Sequence, residues 1–259
     1  MQTKCAFVVP AYNEGHRFNL DYFKEISRLQ SGIVFIFIND GSSDDTLEVL
    51  ENAVIEISGA YVLSLRRNGG KSNAVREGFV FCERTFRELD WIGILDSDGS
   101  FCVKDVVGLI KELPSFPISD SAIFTKRFNY ATDKKFQGLL RLVARVVISR
   151  ILSFGWGRAP AGMQSGFKLF RNTPSFRRAI GPEFRTRWFM EWELMIRLYE
   201  VGESQEISEF SLTEVSHKDN GHINSSQIIP VVLEVLEIKR QQLKSKVRRF
   251  RNFYLINFK

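Results

Sequence analysis

The stretch that decides the fold is Trp91-Ile92-Gly93-Ile94-Leu95-Asp96-Ser97-Asp98, an apolar run that stops in two acids one residue apart. A short run of this kind reads as a buried parallel strand. Its acids then stand at the carboxyl edge, where open α/β sheets bind their ligands. Two carboxylates at that edge suit a hard divalent cation, and such a cation usually carries diphosphate. Asp, Ser and the following Gly99 are also ordinary turn residues, so the stretch means little without its neighbours.

Three earlier strand ends supply them. Ala6 to Val9 closes at Pro10, Ile33 to Ile38 runs into Asn39-Asp40-Gly41-Ser42, and Tyr61 to Leu65 precedes a polar loop. Helical segments are expected around 19–29, 44–57 and 72–87, the second capped by Ser43 or Asp44 and the third by Ser72. Short apolar strands alternating with helices predict an α/β fold with a doubly wound, mainly parallel sheet and right-handed crossovers. All four polar loops then share one edge. Beyond Asp98 the alternation weakens, with strands expected at Ala122–Thr125, Gly166–Phe170 and Ile207–Leu212 and helices over Lys135–Phe154 and Trp188–Val201.

Composition narrows the class. A chain of 259 residues, 44% hydrophobic, suits one large α/β domain or a domain with an appendage. Its 23 Phe imply aromatic packing or an apolar surface resting on lipid. No apolar stretch reaches spanning length, and the start around Lys4 to Pro10 does not resemble a signal peptide. Cys5, Cys82 and Cys102 form no metal or disulfide pattern, which fits the cytosol. Seven basic residues and no acid lie between Lys239 and Arg251, and removing them takes the net charge from +6 to −1. The basic character is local, which argues for one anionic partner and against a nucleic-acid-binding body.

The strand-edge motifs carry the chemistry. After Val8-Val9-Pro10-Ala11 there is no GxGxxG, so the dinucleotide fingerprint is absent. Tyr12 offers a stacking face, and Glu14 and Asp40 offer carboxylates to a nucleobase or ribose. Gly70-Lys71-Ser72 lacks the upstream glycine of a P-loop, since Leu65 stands there. Lys71 at a helix start still suits a phosphate.

Together, VVPAYNE (8–14), NDGSSDDT (39–46), NGGKSNAVREG (68–78) and DSDGS (96–100) resemble the family-2 glycosyltransferases of GT-A fold. Within that family the chain resembles the dolichyl- and polyprenyl-phosphate glucosyltransferase and mannosyltransferase group. Its downstream elements appear as Gln164-Ser165-Gly166-Phe167-Lys168 and Trp188-Phe189-Met190-Glu191-Trp192-Glu193, with Ser165 in place of Cys and Glu191 in place of Asp. The resemblance implies a GT-A domain over 1–225, with a nucleotide-binding half to about residue 100 and an acceptor half to 225. A basic amphipathic helical tail follows over 226–259.

The resemblance also implies roles. Pro10, Ala11, Tyr12, Glu14, Asp40, Lys71, Asp96 and Gln164 would hold the nucleotide sugar. Asp96 and Asp98 would be the metal pair for Mg²⁺ or Mn²⁺, with Asp98 the direct ligand. Arg127, Arg141 and His217 would meet an acceptor phosphate. The implied reaction is inverting, metal-dependent transfer of a hexose from a UDP- or GDP-linked donor to polyprenyl or dolichyl phosphate. That acceptor is already ionised. A sugar hydroxyl of a growing glycan would instead need a general base, for which Glu191 and then Glu193 are the candidates. A non-catalytic nucleotide-sugar-binding protein is the remoter alternative.

Two segments point toward a membrane. Residues 135–154 place leucines and valines around a helix with Arg141 and Arg145 on one face. The tail follows Ile228–Ile238 with its basic run and the aromatics Phe250, Phe253, Tyr254 and Phe258. Both suit an interfacial helix on an anionic leaflet, and so peripheral contact at the cytosolic face of a membrane.

Overall fold

The computed structural model describes residues 4–86, 88–127, 148, 150–152, 162–163, 165–202, 206–213 and 228–257, with only the backbone at 127, 228 and 247–257. Its first half follows the expected alternation. β1 (Cys5–Ala11), α1 (Leu20–Leu29), β2 (Ile33–Asn39), α2 (Thr46–Glu56), β3 (Ala60–Ser64), α3 (Lys71–Thr85) and β4 (Trp91–Ile94) succeed one another. Then come α4 (Val103–Glu112), β5 (Ala122–Arg127), β6 (Lys168–Arg171), α5 (Pro174–Ile180), α6 (Met190–Glu200), β7 (Ile207–Leu212) and the long α7 (Ile228–Asn257).

The seven strands form one sheet in the order β3-β2-β1-β4-β6-β5-β7. β1 pairs parallel with β2 and β4, and β2 parallel with β3. β6 runs antiparallel to both β4 and β5, while β5 and β7 are parallel. The sheet is therefore mixed, with β6 the reversed strand. The helix expected over 135–154 lies outside the described residues except for Ile148 and residues 150–152, which are helical.

The strands are apolar on both faces because helices cover both. Ala6 and Val8 of β1 face one core layer with Phe79 and Cys82 of α3, and Phe7 and Val9 face the other with Phe23 of α1 and Val106 of α4. Much of the Phe content is spent here. Phe23 meets the rings of Phe35 and Phe37 edge-on at 5.3 and 5.2 Å, the arrangement favoured by the ring quadrupole. Cys5 and Cys82 are buried free thiols, each pushed up to about 12 chiefly by burial.

Helix signals are matched in part. Asp44 accepts from the Thr46 N–H at 3.1 Å just ahead of α2, but the cap position falls on Asp45, whose side chain makes no capping hydrogen bond. Ser72 does not cap α3. Gly70 holds the cap position, and the Ser72 hydroxyl is buried without a hydrogen-bond partner among the described residues.

Candidate active site

The strand order reverses between β2-β1 and β4, so the loops after β1 and β4 diverge and leave a crevice at the carboxyl edge. Pro10 and Ala11 end β1 at its rim, and Tyr12 stands beyond them with 47% of its surface exposed. Asn13 adopts φ 52°, in the left-handed region that Asn tolerates. Its N–H donates to Ser42 Oγ at 3.0 Å and its Oδ1 accepts from the Ser43 N–H at 2.9 Å. The β1 and β2 loops are thereby laced together, and Glu14 is delivered toward the acid pair.

Asp98 is almost wholly buried. Its Oδ1 accepts from the Ser100 N–H at 3.0 Å and hydroxyl at 2.5 Å, while Oδ2 faces Arg17 Nη2 at 3.4 Å. Arg17 also donates to Glu14 Oε1 at 3.1 Å, so one guanidinium bridges two carboxylates. Glu14 Oε2 is buried with no hydrogen-bond partner among the described residues. Burial pushes the Glu14 carboxyl above the ordinary range; Arg17 pulls it down, and Asp98 and Asp96 add to the rise.

Asp96 accepts from Lys71 Nζ at 2.7 Å. Burial works against the Lys71 charge, but Asp96 more than compensates, and the ammonium is held above its usual range. Gly166 lies directly against this carboxylate, since a Cβ there would stand 1.7 Å from Asp96 Oδ2. The Gln-Ser-Gly-Phe-Lys element thus needs its glycine so that β4 and the β6 approach can close on each other.

Asp40 does not offer a bare carboxylate to the crevice. It accepts from the Gly69 and Gly70 N–H groups at 2.8 and 2.9 Å and from Asn68 Nδ2 at 3.1 Å. Burial raises its pKa against the pull of those two backbone bonds. Asp40 therefore shapes the loop that presents Lys71. Arg187 braces the same loop, donating to Asn68 Oδ1 at 2.5 Å and accepting from the Ser72 N–H at 3.0 Å.

The two acids of α6 differ. Glu191 is paired with the fully buried Lys168 at 2.5 Å, and Lys168 also donates to the Met163 carbonyl at 2.9 Å. Burial lowers the Lys168 pKa, and Glu191 opposes that shift. Glu193 is 1% exposed and receives the Arg185 N–H at 2.9 Å, the Thr186 N–H and hydroxyl at 3.3 Å, and Arg197 at 2.7 Å. Both its oxygens accept hydrogen bonds from the protein, which ties the 185–186 backbone to α6.

Gln164, Arg141 and His217 lie outside the described residues, and Arg127 is described only as backbone at the end of β5. Arg17, Lys168 and Arg187 join the site without having been singled out as site residues from sequence. The Glu14-to-Arg17 spacing is one signal that points to the first, because i,i+3 pairs of opposite charge face each other in a helical turn.

The acid pair suits Mg²⁺ or Mn²⁺ by donor chemistry, being two hard carboxylates, each already matched to a cation. Among the described residues no three His, Cys, Asp or Glu converge as a protein cage. An ion there would be held by Asp96 and Asp98 and would supply positive charge at the crevice.

Comparison with known proteins places this crevice in a family. Residues 6–173 match Glycosyl transferase family 2. Dolichyl-phosphate beta-glucosyltransferase ALG5A of Trichomonas vaginalis is 25% identical over 241 residues, covering 90% of this chain and 72% of the relative. ALG5C of the same organism is 28% identical over 202 residues, covering 73% of this chain and 58% of the relative. Glucosyl-3-phosphoglycerate synthase from Mycobacterium tuberculosis, solved with Mn²⁺ and UDP-glucose, shares the fold at 19% identity and a TM-score of 0.62 over 90% of this chain and 78% of that one. The match begins in β1 and runs past β6, across the whole acid-bearing edge, and the chain is a glycosyltransferase belonging to glycosyl transferase family 2.

Proposed function

We propose that the enzyme moves a hexose from a UDP- or GDP-linked sugar to polyprenyl or dolichyl phosphate, inverting the anomeric carbon. The observation that carries the choice of acceptor is the state of the α6 acids. Glu193 is saturated by hydrogen bonds and Glu191 is tied to a buried lysine, so neither is posed as a general base. A phosphate monoester needs none, its second pKa being about 6. The dolichyl-phosphate acceptor in the names of the Trichomonas relatives supports the same reading.

In this reading Tyr12 stacks on the base, while Pro10, Ala11, Glu14 and the Asp40-organised loop line the nucleoside. Gln164 completes the donor side, and Arg127, Arg141 and His217 receive the acceptor phosphate. A phosphate oxygen attacks the anomeric carbon as the bond to the nucleoside diphosphate breaks, and the leaving diphosphate takes the electron pair. Asp98, with Asp96 beside it, would hold a divalent cation, whose charge would neutralise that diphosphate. Lys71 and Arg17 stand at the same acids and add positive charge where it accumulates.

The acceptor implies a membrane, and α7 supports one. Ile229, Val232, Leu233, Leu236 and Leu243 are 72, 52, 60, 59 and 66% exposed along one helical face. Val235, Ile238, Gln242 and Ser245 are buried on the other. An outward apolar stripe leading into the acid-free basic run fits a helix lying on an anionic bilayer at the cytosolic face.

Glu191→Gln tests the acceptor assignment. With polyprenyl phosphate, turnover per folded enzyme should stay within about tenfold of wild type. A loss of about 10²-fold or more, the usual range for removing a general base, would shift the reading to a hydroxyl acceptor.

A further inference from the structure

Four successive backbone N–H groups between Arg185 and Trp188 are held by carboxylates from two different helices. Glu193 of α6 takes those of Arg185 and Thr186. Glu234 of α7 takes the Arg187 N–H on Oε1 at 2.8 Å and the Trp188 N–H on Oε2 at 3.0 Å. The loop so fixed is the one that braces the donor edge. Arg187 accepts from the Ser72 N–H and donates to Asn68, which in turn donates to Asp40. Gly70, at φ 87°, lies so close that a Cβ there would come 3.0 Å from Arg187 Nε. Lys71 follows immediately and reaches Asp96.

We propose that Glu234 is a positioning residue for the donor site. Through the Arg187–Trp188 backbone it sets the loop that carries Asn68, Gly70 and Lys71, which makes the C-terminal helix a working part of that site. The proposal rests on the reading that a nucleotide sugar binds along this edge. Two features make Glu234 specific. Each of its oxygens is spent on a separate backbone donor, so no neutral side chain of the same shape replaces both bonds. Its neighbour Glu237, one turn along, bonds among the described residues to side chains, those of Arg185, Arg240 and Gln241. Glu237 therefore serves as an internal control of nearly identical position and charge.

The test uses the full chain with Mn²⁺, titrated with UDP-glucose, UDP-N-acetylglucosamine and GDP-mannose. Glu234→Ala should weaken binding of the preferred donor about tenfold while kcat at saturating donor stays within about twofold, the pattern of lost binding common to ground and transition states. Glu234→Gln should fall between, keeping one acceptor oxygen, and Glu237→Ala should bind like wild type. Hydrogen exchange should quicken at the amides of Ser72, Arg187 and Trp188 in Glu234→Ala while β1 and β4 keep their protection. Wild-type donor affinity in Glu234→Ala would overturn the proposal. So would a loss of affinity accompanied by lost protection in β1 and β4, which would mark general destabilisation. Failure of the wild-type chain to bind any of the three donors would overturn the donor-edge reading itself.

Discussion

Glu14 shows how function is set against stability at a single residue. Its carboxyl is half-buried near two other acids, has one buried oxygen with no hydrogen-bond partner among the described residues, and is raised above the ordinary range chiefly by burial. A carboxyl raised in the folded state binds its proton more tightly there, so its contribution is fully present below the unfolded value and is lost as pH rises through the folded one. At neutral pH the ionised Glu14 therefore costs stability. Glu14→Gln should raise Tm at about pH 7.5, with the gain shrinking as pH falls through the range in which wild-type Glu14 takes up its proton. Thermal unfolding of the two proteins across that range checks it, and an equal or lower Tm for the variant at the higher pH would contradict it. The same variant should bind donor more weakly. Asp96, Asp98 and Lys71 are legible in the sequence because each belongs to a short pattern at a strand or helix end. Arg17 is legible only through its i,i+3 spacing from Glu14, and Arg187 not at all, since their partners Asp98 and Asn68 lie 81 and 119 residues away and only the crossovers bring them together.

Among the elements, β4 and β6 depend on each other through the smallest side chain available. Gly166 leaves room for Asp96, and a methyl group there has nowhere to go except into the carboxylate. Gly166→Ala should displace Asp96 from Lys71 and cut kcat/KM about 10²-fold, the scale of a 1 Å misplacement. Steady-state kinetics decides this, and near-wild-type kcat/KM would show that Asp96 has slack. The sequence predicts the strands well, because a run such as Ile33–Ile38, buried on both faces, is continuously apolar. It is silent on the direction of β6. Pairing direction follows from the connection and the neighbouring strands, and nothing local to Lys168–Arg171 encodes it. The short helices α4 and α5 likewise escape a periodicity reading, at 10 and 7 residues.

At the scale of the molecule, the parallel strands build the donor edge and α7 closes the structure at the other end of the chain. No helix among the described residues is long and apolar enough to cross a membrane, and the proposed lipid acceptor calls for a surface that rests on a bilayer. The outward stripe of α7 is the surface suited to it. Leu233→Glu combined with Leu236→Glu should abolish co-sedimentation with anionic vesicles without unfolding the chain, because both side chains already face solvent. Undiminished sedimentation would remove the stripe from the account. The stripe is only partly legible in sequence. Ile228–Ile238 is apolar on several faces, and only packing decides that Val235 and Ile238 turn inward while Leu233 and Leu236 turn out. The central claim is sugar transfer to an ionised lipid phosphate at the Asp96–Asp98 edge. Its most direct test is incubation of the enzyme with Mn²⁺, radiolabelled nucleotide sugar and polyprenyl phosphate, followed by organic extraction. Label should appear in the organic phase, be released by mild acid, and be absent with Asp98→Asn. Label that stays with a water-soluble glycan, or an Asp98→Asn enzyme that transfers at the wild-type rate, would contradict the account.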